Sequence, residues 1–216
     1  MACGSRVPYI ELVFFMHFFP QSLRILFAAL ALVSLTCCPA MAETVRDTEI
    51  EIYAAYINYI AKELPPNKSL VIASTTTLIS EAFTDNAASE IKTRMPEATT
   101  TVIADFVRVG VNSVPMSIPK RLVRQDVRYS MVDERNIREI FEKDFLDKTW
   151  KRFYRVHPSA TGLIRFSRVG IDVETKQALL YVAHSCGGLC GSGHIVLLRL
   201  QWGRWEVVRS EHLWVS

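Results

Sequence analysis

The first strongly periodic part of the chain extends from Asp47 to Leu64. Apolar side chains recur there at helical spacing, at Ile50, Tyr53, Ala54, Ile57, Ile60, Ala61 and Leu64. Asp47 or Thr48 can cap the first turn, and Pro65-Pro66 prevents the helix from continuing. This pattern predicts an amphipathic helix with one buried face.

The next stretches mix strand-like and helical patterns. Leu70–Ala73 lead into β-branched residues at 74–77, which predicts a short strand or extended segment, and the polar threonines predict that it lies at a sheet edge. Residues 78–108 are predicted to be mostly helical with a break near Pro96, and residues 110–119 to form a loop.

A second alternating segment, Val127–Val132, is predicted to be a half-buried strand. Asp133 follows in the position of a helix cap, and Glu134 lies in the first turn, where the helix dipole favours a negative charge. The buried stripe of this helix is predicted from four apolar residues, Ile137, Ile140, Phe141 and Phe145.

After His157-Pro158 the pattern becomes almost wholly β. Five apolar or alternating stretches follow, at 163–171, 178–185, 195–201, 205–209 and 213–216. Turn residues separate them, including the glycine-rich run 187–193 and Gly203. The predicted fold class is α+β, with N-terminal helices, mostly within 43–158, packed on a C-terminal antiparallel β-meander of four to five strands, 159–216.

The first forty residues have the order of a secretory signal peptide. Arg24 precedes the short apolar run Ile25–Leu35, and Ala40-Met41-Ala42 supplies a small-residue cleavage site. The run is shorter than the roughly 20 apolar residues of a spanning helix, so no stable membrane span is expected after cleavage. Residues 1–42 are thus predicted to be removed by signal peptidase, which leaves a single domain, 43–216, in the periplasm or secreted.

Two details of the leader leave alternatives open. Cys37 and Cys38 follow the apolar run and raise the possibility of a lipoprotein, but Thr36 stands where lipid-attachment sites have a small residue. The long stretch before Arg24 also allows translation to start at Met16 rather than Met1. Neither alternative changes the predicted export.

The charge of the chain gives no reason to expect nucleic-acid binding. It has 25 basic and 22 acidic residues, a net charge of +3, without the strongly basic balance of nucleic-acid-binding domains. No glycine-rich phosphate loop joins a strand to a helix, and no His-Glu-x-x-His pattern occurs. No cofactor is therefore predicted.

The sequence from His184 to His194, HSCGGLCGSGH, is the local feature with the most chemistry. Cleavage of the leader would leave Cys186 and Cys190 as the remaining cysteines, and an even pair in an oxidising compartment indicates a disulfide. Two of the three intervening residues are glycines, which let the chain double back so that the sulfurs can meet. A Cys186–Cys190 disulfide that closes a β-hairpin is the preferred interpretation.

Two other interpretations of this segment compete with a structural disulfide. His184, Cys186, Cys190 and His194 could supply zinc ligands, although the glycine loop makes their spacing unfavourable. Thiol redox catalysis would need a cysteine with a lowered pKa, and no Lys or Arg is adjacent to either cysteine.

Outside this segment, the candidate functional residues are less specific. Trp202 and Trp205 flank a tight turn and, with Tyr181, could form a stacking surface for a ligand. Ser167 could be proposed as a nucleophile, but the alternating pattern around it predicts an exposed strand serine. The sequence contains no evident pairing of an acid with a base and no activated nucleophile.

The C-terminal third resembles a group of small exported bacterial proteins of unknown function. The resemblance rests on Phe166–Gly170, Gln177–Val182, the motif Cys-Gly-x-x-Cys-Gly-x-Gly at 186–193, and Trp214–Ser216. It implies export and a β-rich C-terminal part, and it carries no activity. Trp202-Gly203 stands where such proteins often have Asn-Gly, which leaves the turn type open.

The sequence thus favours an exported, non-catalytic domain that binds a small molecule or a protein through the sheet or the hairpin. A periplasmic hydrolase with dispersed catalytic residues is one alternative, and a thiol-redox or metal-binding protein is another. A pocket in which two titratable side chains converge with perturbed pKa values would argue against a non-catalytic role.

Overall fold

The protein is built around one seven-stranded sheet with helices on both faces. The computed structural model describes residues 45–141 and 146–216, and the predicted signal peptide lies outside the described residues. The helices are α1 Asp47–Ile60, α2 Ala87–Arg94, α3 Thr100–Val109, α4 Glu134–Phe141 and α5 Leu146–Val156. The strands are β1 Ser69–Ala73, β2 Tyr129–Val132, β3 Ala160–Phe166, β4 Gly170–Asp172, β5 Gln177–Gly187, β6 Cys190–Gln201 and β7 Arg204–Val215.

The sheet has the strand order β2-β1-β3-β5-β6-β7, with β4 paired to β5. β1 runs parallel to β2 and β3, and the strands from β3 onward pair antiparallel. The α+β class and the mostly antiparallel sheet are confirmed. The prediction of four to five strands is wrong, and so is the placement of the helices before the sheet, because α4 and α5 follow β1 and β2.

β1 lies inside the sheet, between β2 and β3, so its predicted position at an edge is also wrong. Its residues Leu70–Ala73 are at most 3% exposed. A strand that is covered on both faces requires apolar side chains at successive positions, which Leu-Val-Ile-Ala supplies. The threonines that suggested an edge follow the strand and do not belong to it.

Alternate residues of each strand enter different cores. Leu70 and Ile72 face the core beneath α1, whereas Val71 and Ala73 face the core beneath α4 and α5. On β5, Leu180 and Val182 also face α1, and the residue between them, Tyr181, faces α2 and α3. One helix therefore covers one face of the sheet, and the other four cover the opposite face.

Local signals set the ends of several elements. The Asp133 side chain accepts a hydrogen bond from the Asn136 backbone N–H at 2.8 Å, as its predicted capping role requires. α1 begins after Arg46, not at a cap formed by Asp47 or Thr48. Between β6 and β7, Trp202 and Gly203 have φ angles of 52° and 76°, which is the geometry of a two-residue type I′ hairpin turn.

Candidate ligand-binding cleft

The face of the sheet covered by α1 changes from apolar to polar along its strands. On β5, Val182 is followed on this face by His184, and on β6 Val196 is preceded by His194 and Ser192. On β7, Ser210 pairs with Val196 and His212 pairs with His194. Strand alternation thus places three histidines and two serines together on the α1 face, His184, His194, His212, Ser192 and Ser210.

These side chains form the floor of an open cleft of about 530 Å³, which we call the histidine cleft. One wall is the end of α1 and the turn after it, from Tyr56 to Pro65. The lining includes the apolar side chains of Ile60, Leu64, Pro65, Leu70, Ile164 and Val182. Glu63 is the carboxylate among the lining residues. The cleft therefore combines an apolar wall with a floor of neutral or basic hydrogen-bonding groups.

His194 is hydrogen-bonded at both ring nitrogens. Its Nε2 lies 3.1 Å from Ser192 Oγ, and its Nδ1 lies 3.4 Å from Ser210 Oγ. The His212 ring packs against it, with 4.1 Å between ring centroids. A neutral imidazole has one N–H donor and one acceptor nitrogen, so one serine hydroxyl donates to His194 and the other accepts from it.

His184 is held differently from His194. Its Nε2 lies 3.1 Å from the Thr161 carbonyl oxygen, which is an acceptor and therefore requires Nε2 to carry the proton in the neutral ring. Burial lowers the pKa of His184, and the hydrogen bond to Thr161 partly opposes that shift. Burial also lowers the pKa of His194, and electrostatic interaction with His212 and His184 lowers it further. Both rings are therefore predominantly neutral at neutral pH.

Tyr56 contributes an unusual group to the wall of the cleft. Its side chain is only 6% exposed, and its ring packs edge-on against Phe166. Within the described residues its hydroxyl has no protein hydrogen-bond partner. Burial, followed by the charge of Tyr59, raises the pKa of Tyr56, so the hydroxyl remains a donor. The hydroxyl oxygen is not one of the buried side-chain atoms that lack a partner, so it is open to water or to a ligand in the cleft.

The Cys186–Cys190 disulfide closes the hairpin between β5 and β6, with 5.0 Å between the two Cα atoms. The Tyr154 hydroxyl of α5 donates a 2.8 Å hydrogen bond to the Cys186 carbonyl oxygen, which ties the hairpin to this helix. Leu189 at the tip is 91% exposed. The disulfide thus anchors the ends of the two strands that carry His184 and Ser192.

The four proposed metal ligands are divided between two places. Cys186 and Cys190 are bonded to each other in the hairpin, whereas His184 and His194 line the histidine cleft. Over residues 45–141 and 146–216, no three His, Cys, Asp or Glu side chains are grouped so that they could hold a metal ion.

The three aromatic residues proposed as a stacking surface do not form one. Tyr181 is 1% exposed in the core beneath α2 and α3, where its hydroxyl accepts a 3.1 Å hydrogen bond from Trp214 Nε1. Trp205 packs against the core beneath α1 and lines a separate groove of about 740 Å³ between α1 and β7. Trp202 is 97% exposed at the tip of the hairpin.

Sequence reasoning missed His212, Ser192, Ser210 and Tyr56. The signal that could have found the strand residues is a pair of polar side chains two positions apart on neighbouring strands, Ser192 with His194 and Ser210 with His212. Ser167, predicted to be exposed, is instead fully buried and hydrogen-bonded to the Arg168 carbonyl oxygen and the Tyr181 N–H.

Comparison of the chain with protein-family models, curated proteins and solved structures gives no significant match. In the part of the chain that the structure describes, no helix has both the length and the apolar character needed to cross a membrane.

Proposed function

We propose that the protein is an exported domain that binds a small molecule in the histidine cleft. The observation that carries this proposal is the convergence of three imidazoles and two serine hydroxyls in one cleft, with Tyr56 in its wall. Small-molecule sites in proteins are concave, mostly apolar and furnished with a few convergent polar groups, often with perturbed pKa values.

The lining restricts the chemistry of the ligand. Ile60, Leu64 and Pro65 offer an apolar surface on one side, and on the floor His184 and His194 are uncharged at neutral pH. We expect a ligand with a short apolar part and an oxygen that can accept a hydrogen bond from the Tyr56 hydroxyl. A volume of about 530 Å³ falls within the roughly 300–1,000 Å³ of ordinary ligand sites.

Export is the second half of the proposal. The disulfide supports it, because such bonds persist in oxidising compartments and are rare in the cytosol. The sequence of residues 24–42 supports export independently, because a basic residue is followed by an apolar run and then by an Ala-x-Ala cleavage site. We assign the mature domain to the periplasm or the extracellular medium.

A hydrolase remains a second candidate because of one specific contact, that between Ser192 Oγ and His194 Nε2 at 3.1 Å. The cleft also brings together two histidines with lowered pKa values, the kind of pocket that argues against a purely non-catalytic role. The thiol-redox or metal-binding alternative predicts two reactive thiols, or stoichiometric zinc, in the purified protein.

The binding proposal is tested by screening a library of small organic fragments against the purified protein by two-dimensional NMR. We expect fragments with a carbonyl and a short apolar group to shift the ring C–H signals of His184, His194 and His212. Signals of Trp150 and Tyr154, which lie near the disulfide hairpin, serve as the internal control.

Two matched variants sharpen this test. Tyr56→Phe removes the hydroxyl and should weaken the binding of carbonyl-bearing fragments by about fivefold, since one neutral hydrogen bond contributes about 1 kcal/mol. Tyr59→Phe removes a hydroxyl from a residue that is 41% exposed on the same wall and should leave affinity unchanged. Fragments that shift only residues outside the cleft would contradict the proposal.

A further inference from the structure

We propose that the histidine cleft is also a reaction site, in which Ser192 attacks the carbonyl carbon of a small ester with His194 as its general base. This inference rests on the proposed function, because it requires that a small molecule enters the cleft. It goes further by naming the reacting atoms and the class of substrate.

The geometry between the two residues is that of a nucleophile and its base. Ser192 Oγ lies 3.1 Å from His194 Nε2, within the 2.6–3.2 Å typical of such pairs. If Nε2 is the acceptor, Nδ1 carries the proton and donates to Ser210 Oγ at 3.4 Å. Ser210 then orients the imidazole as a positioning residue. The lowered pKa of His194 supports this arrangement, because a neutral ring can accept the serine proton.

Tyr56 is assigned as the hydrogen-bond donor to the carbonyl oxygen of the ester. Charge develops on the carbonyl oxygen when a nucleophile adds, and a preorganised O–H stabilises it. Tyr56 lines the same cleft, and its hydroxyl makes no hydrogen bond to another protein group of the described residues. The raised pKa of Tyr56 keeps that proton in place. We assign the Tyr56 O–H to the carbonyl oxygen of the substrate.

The reaction balances without a further reagent except water. Ser192 Oγ forms a bond to the carbonyl carbon while its proton moves to His194 Nε2, and the C–O bond to the leaving alcohol then breaks as Nε2 returns that proton to it. Water, deprotonated by Nε2, next attacks the acyl carbon, and the released Ser192 oxygen recovers the proton. The products are one carboxylic acid and one alcohol.

The lining favours esters with a short apolar acyl group. Leu64 and Pro65 provide the apolar wall, and among the described residues that line the cleft there is no Lys or Arg to bind an anionic substrate. We therefore expect acetyl to butyryl esters to react and phosphate esters not to react.

The test is covalent labelling of the purified protein with an alkyl fluorophosphonate, followed by peptide mass spectrometry. In this reaction Ser192 Oγ bonds to phosphorus, the P–F bond breaks, and fluoride leaves with the serine proton. We expect an adduct on Ser192 that is absent from Ser192→Ala. His194→Gln should label at least about 100-fold more slowly because the base is lost, and Tyr56→Phe should also slow labelling.

Ser185→Ala is the matched control, because Ser185 neighbours His184 in sequence but its strand position belongs to the opposite face of the sheet. It should label like the unmodified protein, and circular dichroism should confirm that each variant is folded. A cleft-binding fragment should also protect Ser192 in the unmodified protein, a measurement that needs no variant.

Two failures can be distinguished. If no Ser192 adduct forms while fragments still shift the cleft histidines, the reaction is refuted and ligand binding stands. If neither adduct nor shifts appear, both proposals fall. An adduct whose rate does not depend on His194 would also overturn the assignment of the base.

Discussion

At the scale of single residues, the most buried charges belong to Glu49 and Arg168. Glu49 is 0% exposed and Arg168 2% exposed. The guanidinium donates to the carboxylate through Nε at 2.9 Å and Nη2 at 2.8 Å, and the Val169 backbone N–H adds a third bond at 3.0 Å. This network attaches α1 to the segment between β3 and β4, and so it fixes the helix whose end forms the wall of the cleft.

The carboxylate of Glu49 is ionised despite its burial. Burial alone would raise the pKa of Glu49 above its ordinary value of 4.5, but the hydrogen bonds from Arg168, Val169 and Arg46 outweigh it and lower the pKa. A carboxylate whose pKa is lowered in the folded state adds stability above its unfolded pKa. That contribution is lost as the pH falls below about 4.5, through the folded pKa.

Glu49→Gln is expected to lower the free energy of unfolding by about 3–5 kcal/mol at pH 7, because it leaves the Arg168 charge buried without its counterion. Urea denaturation measures this. Arg94→Gln breaks an exposed ion pair with Glu90 and should change stability by less than about 1 kcal/mol. The unmodified protein should lose more stability than Glu49→Gln between pH 6 and pH 3.5. Equal losses would contradict the role given to this carboxylate.

How far the candidate site could be predicted depends on the kind of residue. The sequence identifies His184 and His194 as chemically capable residues, but it groups them with the nearby cysteines, because proximity in sequence says nothing of strand pairing. His212 lies 18 residues after His194 and meets it through strand pairing. Tyr56 is harder still, since its ring belongs to the core and helical periodicity says nothing about where its hydroxyl emerges.

At the scale of elements, the individual strands were more predictable than their pairing. Leu70–Ala73 and Val127–Val132 both have strand patterns, yet β1 pairs in parallel with β2, about 60 residues away, and with β3, about 90 residues away. Alternation reveals which residues share a face, but not which strand lies alongside. The two predicted final pieces, 205–209 and 213–216, are parts of one 12-residue strand. They look separate in the sequence because bulges near Val208 and Leu213 interrupt the alternation of the strand.

The hairpin of β5 and β6 offers a prediction at this scale. Replacing both Cys186 and Cys190 by serine should lower the free energy of unfolding by about 2 kcal/mol, the loop-entropy value for a ring of this size. Hydrogen exchange should quicken mainly at 184–193, since the longer ladder from Gln177 to Val182 keeps its partners. Urea denaturation and exchange mass spectrometry measure the two effects.

Leu189→Ser at the same tip is the control, because this side chain is 91% exposed and should contribute little. If the variant with both cysteines replaced by serine no longer bound fragments, the disulfide would also be needed to hold the floor of the cleft in place. A variant as stable as the unmodified protein, with unchanged exchange, would contradict the anchoring role.

At the scale of the whole molecule, the cleft follows from a mismatch of lengths. α1 has 14 residues and is about 21 Å long, whereas the 12-residue strands β6 and β7 span about 40 Å. Pro65-Pro66 prevents the helix from continuing over the remainder. One helix on this face therefore leaves part of the sheet uncovered, and the uncovered strand positions are the polar ones, His184, Ser192 and His194.

The proposed export also belongs to the scale of the whole molecule, and the disulfide supports it because such bonds persist in oxidising compartments. Expression with the native leader in a bacterium should give a mature protein that begins at Glu43, found in the periplasm or medium by intact-mass measurement. Ala40→Lys should block processing, since signal peptidase requires a small residue there. Ala42→Gly, which keeps a small residue, should still be cleaved. Recovery of the unmodified protein in the cytosol, uncleaved and with reduced cysteines, would remove the physical basis for the disulfide and for the anchored strands beneath the cleft.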